Sequence, residues 1–315
     1  MSRRNVLIII LVFLVSSIAG CGMSTKPQEK KLQVVASVYP VQEFVKAVGK
    51  DRVDVSLLVP PGTEPHDWEP TAKDLAKIKG SALLVYHGAG LEHWVGAVVK
   101  PDLLGSAKAV EASKGIALLD AAESESEDEH GHNHSGETHE TKDPHVWLDP
   151  VLAQQEVKTI LAALIEVDPA HASEYEANAA AYVKELQLLH DEYTVALQHT
   201  AKRELITSHA AFSYLAKRYQ LQQVPVMGLS PDAEPTADKM AEIIRFCKAH
   251  QVKYIFFETL VSPKLAEVLS REAGASTLVL NPLEGLTVEE YKAGKSSYLT
   301  LMRENLQQLK KALAQ

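Results

Sequence analysis

The tetrapeptide Glu69-Pro70-Thr71-Ala72 returns as Glu234-Pro235-Thr236-Ala237, each time after a short apolar stretch and before a helical pattern. Outward from the first copy, Leu32–Ser37, Val53–Val59 and Ala82–Tyr86 are apolar runs of strand length. Val41–Val48 and Thr71–Lys79 carry helical spacing between them. Around the second copy, Glu204–Thr207, Gln223–Met227 and Lys253–Phe257 predict strands, and Phe212–Tyr219 and Ala237–His250 predict helices. Short apolar strands alternating with helices indicate parallel βαβ units, and their recurrence indicates two similar lobes. The expected fold is therefore α/β, with two Rossmann-like lobes, each a mostly parallel sheet flanked by helices. Between them, Asp168–His199 reads as one long helix: Pro169 suits a first turn, and Ala179, Val183, Leu186 and Leu189 recur at helical spacing. The expected division is 32–167 for the first lobe, 168–200 for the linking helix and 201–315 for the second lobe. A continuous helix is a stiff link and predicts a small opening motion.

The amino terminus indicates export. Arg3 and Arg4 precede an unbroken apolar run, Val6–Val15, which is shorter than the roughly 20 residues of a spanning helix. Residues 1–20 thus read as a signal peptide. Ile18-Ala19-Gly20 before Cys21 resembles a bacterial lipobox, which implies cleavage before Cys21, lipidation of its thiol and a polar tether over 21–31. The expected location is the extracytoplasmic face of the cell membrane, held by that lipid. The remaining cysteine, Cys247, lies in an apolar-periodic stretch and reads as a small buried hydrophobe.

A net charge of −9 argues against a nucleic-acid partner. Most of it is local: residues 123–143 carry eight acidic residues and one Lys, with no apolar residue that could join a core. The expectation is a disordered acidic loop over 121–143, inserted in the first lobe.

Thirteen histidines remain to be sorted. His130, His132, His134 and His139 lie in the acidic loop and read as accessory zinc ligands, a site weakened by the cost of ordering the segment. His171, His190, His199 and His250 sit on helices among polar neighbours and read as solvated or capping groups. His87 and His93 flank Gly-Ala-Gly-Leu-Glu and read as satisfied structural residues. His66, His145 and His209 differ. His66 and His209 follow strands, at the edge where open α/β sheets bind ligands, and prolines fix the backbone around His145. Glu284 follows the last expected strand, Thr277–Leu280, and reaches the same edge; its position alone fits a surface carboxylate equally well. Three imidazoles and a carboxylate suit four-coordinate Zn²⁺ rather than Ca²⁺ or Mg²⁺, which take oxygen ligands.

The segments Thr63-Glu64-Pro65-His66-Asp67-Trp68-Glu69-Pro70, Asp143-Pro144-His145-Val146-Trp147-Leu148-Asp149-Pro150 and Ser208-His209-Ala210-Ala211-Phe212 carry a resemblance, with Phe256-Phe257-Glu258 and Asn281-Pro282-Leu283-Glu284. Through them nearly the whole mature chain resembles the zinc- and manganese-specific solute-binding proteins of ABC importers, the cluster A-I or family 9 proteins. The resemblance implies two lobes bridged by a long helix, with metal held between them by His66, His145 and His209. Many members place Asp fourth; here Asn-Pro-Leu-Glu supports Glu284. Manganese-binding relatives carry a carboxylate where this chain has His209, so zinc is the expected cargo and manganese or iron the alternative. It further implies an ABC permease and its ATPase as partners, a monomer, and no catalysis. A secreted zinc hydrolase would keep one coordination position open for water, and the chain has neither HExxH nor a nucleophile elbow. An adhesin is the third reading, without a repeat or stalk to support it.

Overall fold

Strand β1 (Leu32–Ala36) is central in the first sheet of the computed structural model, which describes residues 30–120, 142–231 and 235–314. It pairs in parallel with β2 (Val53–Leu57) on one side and β3 (Leu83–Tyr86) on the other; β4 (Lys108–Glu111) completes the order β2-β1-β3-β4. The β1–β2 crossover is helix α1 (Tyr39–Gly49), which has Pro40 in its first turn and buries Val41, Phe44, Val45 and Val48 at helical spacing. Helix α2 (Ala72–Lys79) starts at the repeated tetrapeptide: Thr71 and Asp74 form a capping box. Two single-turn helices, α3 (Val95–Val98) and α4 (Pro101–Leu104), then lead into β4.

Helix α5 (Pro150–Val167) is capped by Asp149, whose side chain accepts the Val151 N–H. The expected linking helix is divided at its start. Pro169–His171 form a 3₁₀ turn, and α6 (Ala172–Leu197) then runs 26 residues, about 39 Å at 1.5 Å per residue. Asp168 secures the join by accepting from His171 Nδ1 (2.8 Å) and the Tyr175 hydroxyl (2.6 Å).

The second half keeps the βα alternation but divides its sheet. Strands β5 (Glu204–Thr207) and β6 (Gln222–Pro225) form one parallel pair, with α7 (Ser213–Arg218) between them. Strands β7 (Tyr254–Phe257) and β8 (Ser276–Val279) form another, and β5 packs beside β7 without a shared ladder. Helices α8 (Ala237–Ala249), α9 (Lys264–Ala273), α10 (Val288–Ala293) and α11 (Tyr298–Leu313) complete the chain. Thr236 caps α8 through the Lys239 N–H, the same role as Thr71 in the first half.

One apolar cluster runs through both halves. It joins Val34 and Phe44 to Tyr175, Leu186 and Leu189 of α6, then to Leu205, Phe212 and Leu280, and to Met302 and Leu309 of α11. The described residues from Leu32 onward accordingly form one compact unit. A smaller cluster of Ile206, Ile243, Ile255 and Leu269 belongs to the second half and contains the buried Cys247. No helix among the described residues is long and apolar enough to cross a membrane.

Candidate metal centre

Four loops meet at the carboxyl ends of the strands, and in each a hydrogen bond close to the candidate ligand fixes the backbone. Glu64 and Asp143 each stand two residues before a histidine with proline between, and each accepts that histidine's N–H, at 3.2 Å for His66 and 2.9 Å for His145. His209 lies two residues beyond β5 and donates its N–H to Glu258 Oε1, beyond the end of β7, at 3.0 Å. Glu284 is presented by Leu283, whose φ of 58° is unusual for a branched residue. Asn281 supports that bend by accepting the Leu283 N–H at 2.8 Å. Asn305 of α11 anchors Asn281 in turn, through both its N–H (2.8 Å) and its carbonyl (2.7 Å).

These supports bring the four side chains together. Glu284 Oε1 lies 3.3 Å from His66 Nε2, 2.9 Å from His145 Nε2 and 3.1 Å from His209 Nε2. The His145 and His209 Nε2 atoms are 3.4 Å apart. One donor atom from each residue lies within 4.8 Å of all the others. His145, His209 and Glu284 are at most 1 % exposed, against 9 % for His66, so solvent reaches the cluster from the His66 side.

The tautomers follow from the outer partners. His145 Nδ1–H donates to Asp143 Oδ1 at 2.8 Å, and His209 Nδ1–H donates to Glu258 Oε2. In both rings this leaves Nε2 as the atom facing the cluster, the carboxylate–histidine arrangement that orients metal ligands. Burial alone would lower the pKa of His145; Asp143 and Glu284 outweigh it and raise it above the ordinary histidine value. For His209, Glu258 and Glu284 overcome burial by a wider margin. Burial would raise Glu284, but His209, His145 and His66 hold it well below the carboxylate range. Glu64 is pushed up to about 8 by burial and by neighbouring Glu284. The cluster is thus a concentration of negative charge that attracts either protons or a cation.

Asp143 falls at the end of the segment expected to be a disordered loop, and the structure corrects that boundary. It is 1 % exposed and donates its own N–H to Leu119 O at 2.9 Å. Asp120 and Lys142 form an antiparallel bridge beside it, so 142–143 form part of the centre's support. Cys21, His130, His132, His134 and His139 lie outside the described residues. His87 is fully buried away from the cluster, with Nε2 donating to Pro144 O at 2.6 Å and Nδ1 3.0 Å from Glu156 Oε1.

The sequence matches the family described as "Zinc-uptake complex component A periplasmic", ZnuA, over residues 34–312. The chain belongs to the ZnuA family. It is 46% identical over 301 residues to the "High-affinity zinc uptake system protein ZnuA" of Bacillus subtilis, covering 94% of this chain and 93% of that one. To the "Zinc-binding lipoprotein AdcA" of Streptococcus pneumoniae it is 43% identical over 92% of its own length but only 57% of AdcA. The crystal structure of the Zn(II)-bound ZnuA-like domain of that AdcA superposes with a TM-score of 0.76 at 41% identity, covering 91% of this chain and all of that domain. The laminin-binding protein Lmb of Streptococcus agalactiae, described as a bifunctional protein with adhesin and metal-transporting activity, gives 0.78 at 34% identity, covering 90% of this chain and 100% of Lmb. The ZnuA fold is that of the present chain, with parallel sheets and a long helix, here α6.

Proposed function

We propose that the chain captures Zn²⁺ outside the cytoplasm and delivers it to the permease of an ABC importer, with His66, His145, His209 and Glu284 as the four ligands. The spacing of the donors carries this reading. A tetrahedron with metal–donor bonds of about 2.0–2.1 Å has edges of about 3.3 Å; the three separations from Glu284 Oε1 and the His145–His209 separation are 2.9–3.4 Å, and all four donors lie within 4.8 Å of one another. Four protein donors at this spacing support a closed, four-coordinate shell, the arrangement of a carrier rather than of a hydrolase that keeps a position for water. Three nitrogens among four donors favour zinc over manganese. Cys21 is the proposed lipid anchor, and the permease with its ATPase the proposed partner.

Metal analysis of the purified protein, followed by competition with a calibrated chelator, tests the assignment. Wild type should retain one tight equivalent of zinc, and His66→Ala, His145→Ala, His209→Ala and Glu284→Ala should each weaken it by at least tenfold. His209→Glu should lose zinc affinity while narrowing the preference for zinc over manganese. Unchanged zinc affinity in all five variants would remove the site. For the anchor, Cys21→Ala should move the protein out of the membrane fraction or leave an unprocessed precursor.

A further inference from the structure

We propose that the Trp147 indole is a positioning residue that sets the distance between the His145 and Glu284 ligand atoms across the two halves of the molecule. The inference rests on the zinc reading above and adds a residue that does not touch the metal position. Trp147 is fully buried in the 3₁₀ turn Val146–Leu148, two residues after His145. Its Nε1–H donates at 2.8 Å to the carbonyl of Pro282, two residues before Glu284. His145 Nε2 and Glu284 Oε1 face each other at 2.9 Å, so the bond closes a short ring of backbone and side chains containing both ligand atoms. Within that ring the indole bond is the tie between the two loops that does not pass through the ligand atoms.

Both ends of the strut are also held by α11. The Tyr298 hydroxyl of α11 donates to Trp147 O at 2.5 Å, and Asn305, two turns along the same helix, holds Asn281. The indole stands edge-to-face against the His87 ring at 4.7 Å and against the His145 ring at 5.3 Å, so the ring cannot swing away from the Pro282 carbonyl. Pro282 is buried, leaving its carbonyl no water to turn to if the indole donor is removed. Hydrophobic packing alone would be met by any large ring at position 147. The donor pointing at the Glu284 limb would not.

The test is a double-mutant cycle on zinc affinity by chelator competition. Trp147→Phe should weaken zinc by about tenfold in the wild-type background, the scale of a lost outer hydrogen bond to a metal site. In Glu284→Ala the same substitution should cost less than about twofold, because the limb being positioned no longer carries a ligand. In His66→Ala the loss should remain about tenfold. Visible bands of the Co²⁺-substituted protein, which report coordination geometry, should shift in Trp147→Phe. An equal loss in all three backgrounds would show general destabilisation and overturn the inference, as would no loss in the wild type. Unchanged affinity in Glu284→Ala itself would overturn the reading of the site, and this inference with it. Should Trp147→Phe not fold, benzothienylalanine at position 147 keeps the ring shape and removes only the N–H donor, with the same outcomes deciding.

Discussion

At the residue scale, the metal position is governed by carboxylates that do not point into it. Asp143 and Glu258 each take both the backbone N–H and the ring Nδ1–H of one histidine, which settles the tautomer and aims Nε2 inward. Asp143→Asn and Glu258→Gln should each reduce zinc affinity by about 10–100-fold, read by chelator competition, with little effect on far-UV dichroism. The same carboxylates set the pH response. His145 and His209 have raised pKa values, so they hold protons that zinc must displace. Apparent zinc affinity should therefore fall as pH drops and should keep rising above pH ~6.5, where a free imidazole would already have levelled off. Calorimetry in buffers of different ionisation enthalpy should show proton release on zinc binding near pH 7.4, and less of it in Glu258→Gln. A proton count of zero would contradict the raised values. Of these residues, His66, His145 and His209 were legible in the sequence by loop position and residue type, whereas Glu284 is picked out only by the resemblance of Asn281-Pro282-Leu283-Glu284. Asp143 was legible in principle, since acid-Pro-His occurs twice, in Glu64-Pro65-His66 and Asp143-Pro144-His145, but the acidic run before it hid the signal. Glu258 is 49 residues from His209 and reaches it only because β5 and β7 lie side by side, which no local pattern reveals.

At the element scale, the described residues on either side of 121–141 are held together at one neck. Asp120 bridges Lys142, Asp143 bonds Leu119, and the Tyr214 hydroxyl accepts the Leu119 N–H (2.9 Å) while donating to Asp143 O (2.8 Å). Deleting 121–141 should leave the tight zinc site intact, whereas a deletion extended through Asp143 should weaken it. Equal affinities for the two deletions would argue against Asp143. Helix α5 supplies a second support, with Glu156 fully buried beside His87. Burial would lower the His87 pKa, but Glu156 and Glu92 raise it. The stabilisation from this pair is complete below pH ~6.5 and is lost as pH rises through the higher folded value. His87→Leu leaves Glu156 buried without a partner and should cost about 3–5 kcal/mol, measurable as a lower denaturant midpoint; adding Glu156→Leu should recover part of it. The βα alternation and the Thr71 and Thr236 starts were legible because capping and periodicity are local. The split of the second sheet was not: it depends on pairing between strands of four residues, one of them ending at Pro225, which has no N–H to donate.

At the scale of the whole molecule, the shared core limits how far the halves can part. The apolar cluster passes from β1 through α6 to α11 without a break, so a wide opening would expose it to water. Small-angle scattering should show only slight compaction on adding zinc, and a large decrease in radius would contradict the shared core. Cys247, in the separate core of the second half, allows local unfolding of that half to be followed. Its thiol is 1 % exposed, and burial pushes its pKa up to about 11, so it is neither accessible nor in the reactive thiolate form. Alkylation of Cys247 in a Cys21→Ala background becomes a clock that runs only while the second half is transiently unfolded. The difference in its rate with and without zinc measures how strongly the cargo stabilises that half against unfolding.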